Sequence, residues 1–167
     1  MIVCIGSINV DFIFAAARWP DEHEKYRTES YLCANGGSAA NTATELSRLG
    51  RKVTMVGGIG NDDLGNIALR SLIKAGVNID HVITRSNWNT GCAAIRSMGN
   101  SKSILTGGGI ADPTVVFDYL QTLKQFPAYL NRWDFQQHRS SQTISCVIGV
   151  RRSSIPIALL SMDRYRR

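Results

Sequence analysis

The stretch that decides the fold is GGSAANTATELSRLGRKVTMVGG, residues 36–58. Two glycines open it. Ala39, Ala40, Ala43, Leu46 and Leu49 then recur at helical spacing until Gly50, and Lys52 to Val56 follow as an apolar strand that Gly57-Gly58 closes as a turn. Ser38 is the expected N-cap and Gly50 the C-terminal stop.

Upstream, Ile2 to Ile5 form a short apolar run, the pattern of a strand buried on both faces, and it opens at Gly6 onto a loop, Ser7-Ile8-Asn9-Val10-Asp11. Downstream, Leu64, Ala68, Leu72 and Ala75 mark one face of a second helix that Gly76 stops. The alternation β-α-β-α favours a parallel sheet and an α/β fold. Between Gly91 and Thr106 two strand-like runs flank Gly99-Asn100-Ser101, a hairpin that breaks the alternation. Asp112-Pro113 starts a further helix with Val116, Leu120 and Leu123 on one face. Beyond it, residues 136–143 are polar, and the apolar runs Ile144 to Val150 and Ile155 to Leu160 stand isolated. The chain divides at this change of character into residues 1–110 and an unassigned part, 111–167.

With 167 residues, 44% of them hydrophobic, there is enough material for one domain with a real core. No basic leader precedes an apolar run and no stretch is long enough to cross a bilayer, so a cytoplasmic protein is expected. Cys4, Cys33, Cys92 and Cys146 form no C-x-x-C pair, which points to reduced thiols and to no metal site. The net charge of +6 is concentrated late: residues 112–167 hold 8 Lys+Arg against 4 Asp+Glu, whereas residues 1–111 hold 11 against 9. Arg151, Arg152, Arg164, Arg166 and Arg167 have no interleaved aromatic platform, which argues for a solvated face over nucleic-acid binding.

Two groups of residues bear on chemistry. Asp11 lies just past the first strand, where open α/β sheets place ligands. Its carboxylate can accept from two neighbouring hydroxyls of a polyol, and Asn9 offers donor and acceptor. The competing reading is that both side chains stabilise the loop through backbone amides. Gly36 and Gly37 permit close backbone approach, with Asn41 in the first turn of a small-residue helix, so one ligand can touch backbone and side chain together. The competing reading there is a plain glycine turn with Asn41 idle.

Taken in order, the segments 6–11, Gly36-Gly37-Ser38-Ala39-Ala40-Asn41-Thr42-Ala43, Leu49-Gly50, Gly57 to Gly65, Ala75-Gly76-Val77 and Thr90-Gly91 resemble the ribokinase-like (PfkB) family of sugar kinases over residues 1–110. The resemblance implies a three-layer α/β sandwich with a parallel central sheet. It also implies a small β-sheet lid from strands near Phe12, residues 31–33 and 91–97, through which a homodimer forms. It assigns Asn9, Asp11, Gly37 and Asn41 to the hydroxyls of a sugar or nucleoside, and it implies ATP with Mg2+. Ser38 departs from the lysine of the family's ribose kinases, so ribose specificity is not inherited. His23 departs from a glycine that many members place before the residue matching Glu24.

The family's late Asp-Thr-x-Gly-Ala-Gly-Asp segment, which carries the catalytic base and anion hole, does not occur. Gly107-Gly108-Gly109-Ile110-Ala111-Asp112 fits neither its order nor its position, and there is no G-x-x-x-x-G-K-[ST] phosphate loop. The expectation is therefore a truncated, spliced or frame-shifted kinase, inactive alone and with no catalytic residue assigned; the alternative is a non-catalytic sugar-binding or oligomerisation module. A parallel sheet cut after its first strands is also expected to expose an apolar edge.

Overall fold

The computed structural model describes residues 2–109 and the strand at 146–149. Their order is β1 (Ile2–Ile5), β2 (Asn9–Ala15), β3 (Tyr31–Gly36), α1 (Ser38–Arg48), β4 (Val53–Gly60), α2 (Asp63–Lys74), β5 (Asn78–Arg85), β6 (Gly91–Met98), β7 (Ser101–Gly107) and β8 (Cys146–Gly149). They form two four-stranded sheets, β5-β4-β1-β8 and β3-β2-β6-β7.

In the first sheet β4 pairs in parallel with both β1 and β5 and is buried along its whole length. Val53, Met55 and Ile59 of β4 and Cys4 of β1 join Ala39, Ala40 and Ala43 of α1 and Ala68 and Leu72 of α2 in one apolar cluster. The helical alanines keep both helices close to the sheet, as the spacing predicts. Two of the three expected layers are thus in place; the third, with the expected helix at 112 onward and the run at 155–160, lies outside the described residues.

The second sheet is the expected lid. β2 and β6 are parallel, whereas β2–β3 and β6–β7 are antiparallel, the latter through a turn at Gly99 with φ 54°. Arg96 of β6 ties its far end together. Its guanidinium donates to the Ala17 carbonyl at 2.8 Å, Ser101 Oγ at 2.6 Å and Ser103 Oγ at 2.9 Å, so the buried charge is met by oxygen dipoles.

Four local readings differ from the structure. Gly37, at φ 88°, is the N-cap of α1 and Ser38 is its first helical residue; the first-turn amides of Ser38 and Ala40 are met by Ser7 Oγ and the Ser7 carbonyl instead of by a cap side chain. Gly57-Gly58 is strand, not turn: a Cβ on Gly57 would come within 2.6 Å of the Gly6 carbonyl, so this glycine permits close packing inside the sheet. Residues read as a loop already belong to β2 from Asn9. β5 was not expected, because Asn78, Asp80 and His81 break its apolar pattern. β8 pairs antiparallel with β1 from Ile2↔Gly149 to Ile5↔Cys146, so the edge strands of this sheet are β5 and β8.

One carboxylate joins the two sheets. Asp62, the N-cap of α2, accepts from the Gly65 amide at 2.7 Å, the Thr90 hydroxyl at 2.7 Å and the Thr90 amide at 2.8 Å, while Thr90 Oγ accepts from the Gly60 amide at 2.9 Å. Burial would push the Asp62 carboxyl up, but the bonds from Thr90 and Gly65 outweigh it and hold it below the usual carboxylate range. Asp62→Ala is expected to cost about 2 kcal/mol of stability by urea unfolding at neutral pH. Because the folded carboxyl is the more acidic, its contribution is complete above about pH 4 and fades as pH falls through the lowered value. The gap between the two proteins should therefore narrow in acid; a gap that widens would contradict this role.

Candidate functional site

The site is set by the alternation of β2. Val10 is fully buried in the core and Phe12 packs against it, so Asn9 and Asp11 project from the opposite face of the strand. Asn9 is flanked on both sides by glycine, being paired with Gly36 of β3 and with Gly91 of β6. A Cβ on Gly36 would overlap the Asp11 carboxylate, and one on Gly91 would overlap the Asn9 side-chain oxygen. Neither glycine has a positive φ, so what each provides is space and not an unusual torsion. Gly109 closes the same corner, its Cα 3.0 Å from the position of a Cβ on Gly91.

Gly37 adds the second wall. Its left-handed backbone lies so near the Ser7 carbonyl that no side chain fits, and it delivers the chain into α1. Asn41 is exposed in the first turn of that helix, its amide donating to the Gly37 carbonyl at 2.9 Å. Asn9, Asp11, Gly36, Gly37 and Asn41 are therefore contiguous along one path from β2 across the end of β3 to α1.

The loop-stabilising reading of Asn9 and Asp11 requires their side chains to bond backbone amides. Among the described residues neither side chain makes a hydrogen bond. Burial pushes the Asp11 carboxyl above its usual range, opposed in part by the positive charge of Lys102. The result is an acceptor-only carboxylate beside an amide with both donor and acceptor available, the complement of adjacent hydroxyl groups. Sequence reasoning missed Gly91, although it stands next to Thr90 at the head of β6. It also missed Ser7, whose oxygens hold the first turn of α1, and Lys102, for which an isolated lysine in a hairpin offers no signal.

Among the described residues no three His, Cys, Asp or Glu side chains are grouped to hold a metal ion.

Comparison with known proteins gives a consistent result. The pfkB family carbohydrate kinase description matches residues 1–126, which takes in the segment past 110. The chain is 31% identical over 109 residues to ribokinase of Haemophilus influenzae, covering 65% of this chain and 36% of that protein. It is 33% identical over 124 residues to ribokinase of Schizosaccharomyces pombe, covering 70% and 39%. The structure of Arabidopsis thaliana ribokinase complexed with ribose and ATP superposes with a TM-score of 0.58 at 30% identity, over 64% of this chain and 35% of that one. The chain thus spans well under half the length of the relatives it matches.

The clearance argument has a direct check. Gly36→Ala and Gly91→Ala should each lose about 1–3 kcal/mol in urea unfolding, because the added methyl must displace Asp11 or Asn9. Gly107→Ala, on a strand where the nearest atom is Cys92 Sγ at 4.0 Å, should be nearly neutral. Equal costs at all three positions would mean that strand glycines are merely generic here.

Proposed function

This chain belongs to the pfkB family of carbohydrate kinases, and we propose that Asn9, Asp11, Gly36, Gly37 and Asn41 form the surface that holds the phosphoryl acceptor, a sugar or nucleoside. The whole protein would transfer phosphate from ATP to one of its hydroxyls. The observation that carries this reading is the pair of unspent polar side chains, Asn9 and Asp11, laid over a glycine floor at the end of the sheet. In it, Asp11 accepts from two neighbouring hydroxyls and fixes the ring, Asn9 reads a third group, and the Gly36-Gly37 backbone lets the ligand approach closely. The match to a ribokinase solved with ribose and ATP supports the substrate class and the use of ATP.

Phosphoryl transfer further requires a base at the acceptor hydroxyl, donors for the transferring group and a nucleotide site. No Asp-Thr-x-Gly-Ala-Gly-Asp segment is present in these residues, so the proposal assigns binding to this chain and no catalytic residue. Sugar binding without turnover by the chain alone is the expected behaviour, in the cytoplasm. Among the described residues no helix is long and apolar enough to cross a membrane.

The exposed side of the lid favours a second role in assembly. Leu32, Ile13, Ile95 and Ile104 line up across its four strands on the face that carries Asp11; Ile95 is buried, whereas Leu32 and Ile104 at the two edges are 59% and 53% exposed. A homodimer through the lid would cover Leu32 and Ile104.

Titration calorimetry with ribose, fructose and adenosine at millimolar concentration tests the acceptor site. At least one should bind, Asp11→Ala should weaken it by about tenfold or more, and affinity should fall on acidification as the raised Asp11 carboxyl protonates. Failure of all three to bind would remove the proposal. For the lid, Leu32→Glu combined with Ile104→Glu should halve the mass seen by light scattering; an unsubstituted chain that stays monomeric at every concentration would rule the dimer out.

A further inference from the structure

The edge of β1 lies outside the acceptor site, and its occupant, residues 146–149, lies beyond the stretch matched by the family at 1–126. β1 is buried from Val3 to Ile5, and on its side away from β4 it offers a ladder of backbone donors and acceptors. A strand end of this kind templates pairing with any extended apolar chain. β4 and β5 join the sheet in parallel, each through a crossover helix, whereas Cys146–Gly149 joins antiparallel. An antiparallel neighbour needs no crossover unit, only an extended segment that reaches the edge. Cys-Val-Ile-Gly is uncharged and centred on two β-branched residues, a composition suited to that place. Arg151 and Arg152 follow directly in the sequence, charges of the kind that discourage further strand addition.

We propose that the β1 edge is a strand-docking surface which this chain plugs with its own residues 146–149, and that an unplugged edge pairs with a second copy of the chain. The apolar run at 144–150, without a partner in the linear sequence, then has a function: it keeps the sheet from self-association.

Two proline substitutions at adjacent positions test this. In an antiparallel pair, neighbouring residues point their amides alternately toward and away from the partner strand. Of Val147→Pro and Ile148→Pro, one therefore removes a bond to β1, while the other removes an outward amide that an edge strand can spare. By light scattering, one variant should at least double in mass relative to the unsubstituted chain, and the other should match that chain. If both match it, or if both associate equally, the plug does not exist.

A covalent trap gives the second measurement and retains an uninterrupted backbone. Cys4 stands opposite Val147 in the ladder, and directly opposed antiparallel residues have Cα atoms about 4.5–5.5 Å apart, within disulfide range. Under mild oxidation Val147→Cys should form an intrachain disulfide with Cys4, mapped by mass spectrometry, whereas Ile148→Cys, opposite Val3, should not. A Val147→Cys protein without that bond, or with it only between chains, would overturn the proposal. Sugar binding plays no part in either readout, so the plug and the acceptor site stand or fall separately.

Discussion

The proposed acceptor surface depends on the period-two alternation of β2. Val10 is fully buried and Ile8 nearly so, each worth about 1.5–3 kcal/mol in apolar burial. A strand has only two faces, so the burial of Val10 and Phe12 forces Asn9 and Asp11 to the other one. A slip of one residue would drive the amide and the carboxylate into the apolar cluster without partners and expel Val10 into water. The same interactions that hold the core together therefore hold the register of the site. No separate device is needed to aim Asp11.

Glycine then performs three different physical tasks that look alike in the sequence. At Gly37 the requirement is torsional as well as spatial, with φ at 88° and the Ser7 carbonyl where a side chain would be. At Gly36 and Gly91 the backbone is ordinary strand, and the absent side chain is the room in which Asp11 and Asn9 sit. At Gly57 the missing Cβ lets β4 lie against the Gly6 carbonyl at the end of β1. A glycine pair read only as flexibility suggests a turn, which is why Gly57-Gly58 was expected to end a strand that in fact continues to Gly60.

What the linear pattern revealed follows from the range of the forces involved. The helices at Ser38 and Asp63 and the buried strands β1 and β4 are legible because their apolar spacing is local. β5 is not: Asn78, Asp80 and His81 obscure it, and its parallel pairing with β4 defines it more than its own composition does. The parallel pairing of β2 with β6, which places Gly91 beneath Asn9, joins residues about eighty positions apart and leaves no local trace. Asp11 and Asn9 could be named from their place after the first strand. Whether their hydrogen-bonding capacity was already spent on the backbone was a question for the coordinates alone.

Preorganisation of the site comes finally from bonds that touch no ligand. Thr90 is only 2% exposed, and its polar groups are all met there: Asp62 accepts from both its hydroxyl and its amide, and the Gly60 amide donates to its oxygen. Thr90 immediately precedes Gly91, so the clamp that fixes the start of α2 and the end of β4 also fixes the strand passing beneath Asn9. The lid is thus anchored to the parallel sheet at the end nearest Asn9, and at its far end Arg96 gathers β7 and the chain that follows β2.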